Sequence, residues 1–204
     1  MGIFIQPPDK NLPSLSSIQH PALKSALCEI APNKIYFGYG HVYCEPFVRT
    51  IIDLEKATPT SEKTVVVLLA GGALKQIQDI LNPIKDALKD HGQFFRQIDY
   101  EFVWCKNDVI NFNEKNPNSP PKQPNDGMRQ ILSIKGGQEK GNHLTVCILQ
   151  SLPHGDMLLL ERLSQPLFLA TGDQTLSEAI SCDKCWVYDY IQHKFPLLYL
   201  VYNT

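Results

Sequence analysis

The chain is short of nearly everything that announces a function directly. It carries no excess of basic residues: 19 Lys and Arg against 21 Asp and Glu leave a net charge of −2. There is therefore no general attraction to nucleic acid or anionic lipid, and any anion site has to be built locally. The aromatic residues are scattered through strand-like runs and not interleaved with a basic patch, so no nucleic-acid partner is expected. No apolar run approaches the roughly 20 residues that a bilayer span requires. Residues 1–19 mix apolar residues with Pro, Asp and Lys and have no secretory h-region, so a cytoplasmic protein without a transmembrane segment is expected. The sequence has no P-loop, no G-x-G-x-x-G, no H-E-x-x-H and no Ser-His-Asp order, and no repeat of fixed period.

Cysteine is present but does not form a framework. The six cysteines are Cys28, Cys44, Cys105, Cys147, Cys182 and Cys185. Without a secretion signal all are expected to be reduced, and Cys105 and Cys147 lie in apolar runs where a thiol behaves as a small hydrophobe. Cys182-x-x-Cys185 has no second C-x-x-C or His pair to complete four zinc ligands, so no metal is expected.

What is present is the alternation of an α/β protein. Of the 204 residues, 43% are apolar and 20% charged, which suits a soluble globular chain. The first 33 residues, rich in Pro, Ser and Asn, read as an arm or linker in which only 22–30 has helical character. Residues 34–204 read as one domain. Strands are expected at 34–41, 64–70, 100–105, 144–149, 185–189 and 197–202, with an added strand at 128–134. Val65-Val66-Val67-Leu68-Leu69 is the continuous apolar run of a strand buried on both faces of a parallel sheet. Phe47, Val48, Ile51, Ile52 and Leu54 have helical spacing, as do Leu74, Ile77, Leu81, Ile84 and Leu88. Pro83 removes a hydrogen bond from that second helix, so a kink or a break is expected there. Residues 107–127, rich in Asn and Pro, read as an exposed insertion. The whole implies a Rossmann-like α/β fold, a mostly parallel sheet with helices on both faces.

Ligands of such sheets sit beyond the carboxyl ends of the strands. Three loops qualify: Gly71-Gly72, the stretch from Gln150 to His154, and Thr171-Gly172-Asp173-Gln174-Thr175. Gly71-Gly72 either lets backbone approach a ligand or simply makes a tight turn. The third loop follows the apolar run Leu167 to Ala170 and opens a helix, aiming free N–H groups and the positive end of a helix dipole at one spot suited to phosphate. Thr175-Leu-Ser-Glu178 also matches a capping box, which competes for the same N–H groups. His41 and His154 read more naturally as loop residues than as ligands, although His41 follows a glycine turn that can face a cleft.

The segment from Gly155 to Ser181, with its Gly-Asp-Met helix, its strand, and the Thr-Gly-Asp-Gln-Thr turn ahead of Glu178, resembles the donor-binding half of GT-B glycosyltransferases. It is most similar to the peptidoglycan-precursor N-acetylglucosaminyltransferases and the protein-arginine rhamnosyltransferases. The resemblance implies one half of a GT-B fold that binds a nucleotide-diphosphate sugar as substrate, with no cofactor. It implies that Gly172, Asp173, Gln174 and Thr175 hold the diphosphate and that Glu178 holds the ribose. Leu152 and Pro153 would flank the nucleobase, and Gly71 and Gly72 would lie beside the sugar phosphate. The catalytic base is unassigned, since an acceptor domain supplies it in that superfamily, and a separate N-terminal acceptor-binding domain or subunit is the implied partner. The chain departs from the pattern after the helix, where Cys182-Asp-Lys-Cys185 replaces the usual Gly and Pro. Two alternatives stand beside this reading: a non-catalytic protein-interaction module that keeps the fold, and half of a sugar-nucleotide epimerase.

Overall fold

The computed structural model describes residues 14–21, 23, 24, 27, 32–70, 74–105 and 127–189. These form a seven-stranded sheet with β1 at Lys34–Gly40, β2 at Lys63–Ala70, β3 at Gln97–Cys105, β4 at Gly127–Lys135, β5 at His143–Leu149, β6 at Leu167–Ala170 and β7 at Cys185–Tyr188. The spatial order is β4-β3-β5-β2-β1-β6-β7. Every neighbouring pair is parallel except β3 and β4, which run antiparallel at one edge. The expected α/β architecture with a mostly parallel sheet is therefore the one observed.

Both faces of the sheet are covered. The alternation of side chains along a strand sends Val66, Leu68 and Ala70 of β2 to one face and Val65, Val67 and Leu69 to the other, and all six are buried. On the first face lie α1 (Cys44–Ala57), through Phe47, Val48, Ile51 and Ile52, and α2 (Leu74–His91), through Leu81, Ile84 and Leu88. On the second face lie α3 (His154–Leu163), through Leu159 and Leu160, and α4 (Asp173–Ser181), through Leu176 and Ala179. Ile18, Leu23 and Leu27 of the N-terminal stretch are buried in this second layer. Asp156 anchors that stretch: its buried carboxylate accepts the backbone N–H of Gln19 at 2.9 Å and of His20 at 2.7 Å, immediately before the helical residue Pro21.

Two sequence expectations need adjustment. Of the kink or break expected at Pro83, the break does not occur: the helix runs as one element from Leu74 to His91. Proline removes one ladder bond, but the buried row of Leu81, Ile84, Ala87 and Leu88 holds both halves against the sheet. The strand expected at 128–134 is longer and pairs antiparallel with β3 across the whole of β3, from Gln97↔Lys135 to Cys105↔Gly127. Residues 107–126 of the Asn/Pro-rich stretch, Gly71-Gly72 and the strand expected at 197–202 lie outside the described residues.

At the amino ends of the strands a buried polar network ties α1 to the sheet. The Glu55 carboxylate accepts from Thr64 Oγ1 and Asn142 Nδ2, each at 2.9 Å, and Asn142 Oδ1 accepts the Thr60 N–H at 2.8 Å. The opposite, carboxyl end is built differently, and there the sheet opens.

Candidate functional site at the switch point of the sheet

The chain leaves β1 for α1 on one face of the sheet and leaves β6 for α4 on the other. β1 and β6 are parallel neighbours, with Phe37 opposite Phe168 and Gly38 opposite Leu169. Their two outgoing connections therefore diverge and open a crevice between them. That is the topological switch point at which α/β sheets bind ligands. A cleft of about 340 Å³ occupies it. Tyr39 and His41 line it from the end of β1, and Thr171, Gly172, Gln174, Thr175 and Glu178 from the turn and first helical turns after β6. His154 and Met157, at the start of α3, close the third side.

The turn into α4 is shaped by one glycine. Gly172 is the N-cap, with φ +80° and ψ 165°, a combination essentially confined to glycine. A Cβ there would meet nothing within 4 Å, so the requirement for glycine is conformational and not steric. As glycine, the cap has no side chain to accept a helical N–H, and the first-turn donors of α4 are left uncapped by it. The helix begins at Asp173, so Thr175 lies inside the helix and cannot serve as its cap. The capping-box alternative accordingly does not hold: Glu178 Oε1 accepts from Gln174 Nε2 at 2.9 Å, one turn back along α4. Among the described residues no Lys or Arg lines the cleft. The positive potential there comes from the α4 N-terminus, equivalent to about half an elementary charge, with His41 and His154 beside it.

The other wall is held by a residue that sequence reasoning passed over. Asp189, just past the end of β7, is fully buried, and its Oδ2 accepts the backbone N–H groups of His41 and, at 2.9 Å, of Val42. Its own backbone is fixed to β6, since its N–H donates to Ala170 O at 2.7 Å and its carbonyl accepts from Thr171 Oγ1 at 3.3 Å. Asp189 thus joins the ends of β1, β6 and β7 through its carboxylate and its backbone, and the His41 ring beside it lies tilted against Tyr39 with 5.7 Å between ring centroids. Gly40 allows this approach, because a Cβ there would lie 2.6 Å from Leu169 Cδ2 and 3.0 Å from Asp189 Oδ2. No local pattern marks Asp189 for this role, which arises only once β7 lies beside β6 and β6 beside β1.

Cys44 stands beside this turn at the start of α1, where a helix dipole ordinarily favours the thiolate. Burial wins: it pushes the thiol up to about 12, and the Asp189 carboxylate pushes in the same direction. Cys44 is therefore a packing group and not an activated nucleophile. Cys147, Cys182 and Cys185 are likewise free thiols, and no group of three or more metal-ligating side chains exists among the described residues. No helix among those residues is long and apolar enough to cross a membrane.

Of the residues singled out in the sequence, the structure brings Gly172, Gln174, Thr175 and Glu178 to one cleft, and His41 and His154 join them. Asp173 opens the same helix. Leu152 and Pro153 do not line the cleft: Pro153 is the exposed N-cap of α3, and Leu152 packs against the core of the second face. Gly71 and Gly72 lie outside the described residues. Tyr39, Met157 and Asp189 were not anticipated. Behind the cleft Glu161 of α3, also unanticipated, is buried against Glu178. Comparison with known proteins adds no further constraint, because no family model, curated protein or solved structure matches the chain.

Proposed function

We propose that the chain is the donor-binding domain of a glycosyltransferase and takes a nucleotide-diphosphate sugar at the switch-point cleft. The observation that carries this reading is the pairing of a glycine-capped helix N-terminus with a carboxylate about two turns further in, both facing the same cleft. Uncapped N–H groups and a helix dipole suit a diphosphate. The Glu178 carboxylate, lining the same cleft, suits a cis-diol. The diol would replace the Gln174 amide as its partner. The cleft volume of about 340 Å³ is that of a small-molecule site and more than a lone phosphate needs.

The chemistry that follows is electrostatic. Glycosyl transfer leaves a nucleotide diphosphate as the departing group, and N–H donors fixed before the reaction stabilise charge as it develops there. His41 and His154 line the same cleft and would add hydrogen bonds to the phosphates. The acceptor and the base that activates it would come from a separate domain or subunit, seated over the open side of the cleft.

Calorimetric titration with UDP, GDP and dTDP tests the reading. One of the three should bind the wild type with unit stoichiometry, and Glu178→Ala should bind it at least about tenfold more weakly, the equivalent of about 1.4 kcal/mol.

A further inference from the structure

Glu161 and Glu178 form a contact whose polar atoms do not balance if both are ionised. Glu161 is 0% exposed, and neither of its carboxyl oxygens has a hydrogen-bond donor. Glu178 has one oxygen, Oε1, engaged by Gln174 on the cleft side, and the other, Oε2, shielded and without a donor. The two helices pack against each other here, and Glu178 is the side chain that acts most strongly on the Glu161 carboxyl. A proton between the two carboxyls pairs one Glu161 oxygen with Glu178 Oε2 and removes one of the two charges from this dry site. Lys184 does not resolve the problem, because its Nζ donates to the carbonyls of Ser164 and Gln165. Arg162 lies on the same helix as Glu161 and favours its ionised form, as Lys184 does, while the Cys182 thiol on the facing side is itself pushed toward neutrality by burial.

We infer that Glu161 is a positioning residue whose buried, protonated carboxyl donates to Glu178 Oε2 and so holds Glu178 Oε1 toward the cleft, making ligand binding depend on that single proton. The inference rests on the reading of Glu178 as the ribose ligand. Burial, reinforced by the charge and hydrogen bond of Glu178, keeps the Glu161 proton in place up to about pH 9. Loss of that proton puts two carboxylates in contact, and Glu178 is driven off the geometry a diol requires.

Two measurements on Glu161→Gln, which keeps a donor and cannot ionise, test this. The first uses no ligand. A carboxyl whose folded pKa lies above its unfolded value of 4.5 makes the folded state the better proton binder between 4.5 and about 9. The wild-type melting temperature should therefore fall as pH rises through that window, and Glu161→Gln should lose that part of the slope. An identical slope in the variant overturns the shared proton whatever the ligand does. The second titrates the nucleotide found to bind. Wild-type affinity should fall about tenfold per pH unit above the Glu161 pKa, while Glu161→Gln holds its affinity and Glu161→Leu binds weakly at every pH. A wild type and Glu161→Gln with the same pH profile of binding overturn the inference alone. If no nucleotide binds the wild type at neutral pH, the functional reading falls and takes the positioning role with it, while the melting curves still decide whether the proton is shared.

Discussion

The carboxylate of Asp189 accepts the backbone N–H of Val42 at 2.9 Å, although 147 residues separate the two in the chain. With the adjacent bond from the His41 N–H, it clamps the turn that ends β1 to the end of β7. Hydrogen bonds to a charged acceptor contribute about 1.5–3 kcal/mol, and removing a buried acceptor also strands its donors. Asp189→Ala should therefore lower unfolding stability by about 3 kcal/mol, read from the urea midpoint, and should weaken ligand binding further through the freed His41 turn. Asp189→Asn keeps an acceptor oxygen and should lose less on both measures. Wild-type stability in Asp189→Ala would show that the turn holds its shape without the clamp.

Two glycines at the cleft are required for different reasons, and a second substitution separates them. Gly40→Ala places a methyl against Leu169 Cδ2 and the Asp189 carboxylate, an overpacking cost of about 1–3 kcal/mol. Gly172→Ala meets no atom within 4 Å but forces alanine to a φ of +80°, a strain of about 1–3 kcal/mol. Adding Leu169→Ala should recover part of the loss from Gly40→Ala, since the two share a contact, and should add independently to Gly172→Ala. Double-mutant cycles by chemical denaturation measure both. Equal coupling in the two cycles contradicts the assignment.

These two glycines also show how far the sequence could be read. The Thr171-Gly172 turn was legible because a buried strand, a glycine and a helix follow one another with almost nothing between, a purely local pattern. The strands β1, β2 and β5 were legible for the same reason, as apolar runs of the length of one strand. Gly40 and Asp189 were not, because their roles arise only when β7 is laid beside β6 and β6 beside β1, a pairing that no local pattern encodes. Glu161 was hidden in another way. It continues the run Met157-Leu-Leu-Leu on α3, and only the packing of α3 against α4 shows that its carboxyl is turned inward and not toward water. The capping-box reading of Thr175 failed on a register of three residues, because the helix could begin at Asp173 once Gly172 supplied a positive φ.

At the amino end of the sheet, far from the cleft, acid should act through Asp99. Burial alone would raise its carboxyl. Hydrogen bonds from Ser133 Oγ at 2.6 Å and Gln97 Nε2 at 2.9 Å, with the His143 ring at 2.6 Å, outweigh that and hold it below its ordinary value of 3.8. A depressed carboxylate contributes stability that is present above the unfolded pKa and is lost as pH falls through the folded one. Asp99→Asn should therefore be less stable than the wild type at neutral pH, and the gap should close below about pH 4. Thermal unfolding at a series of pH values follows this, and a gap that stays constant into acid contradicts the charge-based account.

The central claim is that the cleft between β1 and β6 is a nucleotide-diphosphate site read by the N-terminus of α4 and by Glu178. Calorimetric titration of the wild type and of folded Glu178→Ala with UDP, GDP and dTDP tests it most directly. The account predicts saturable binding of one of the three by the wild type and at least about tenfold weaker binding by Glu178→Ala. Binding of none of them, or equal binding by both proteins, would contradict it.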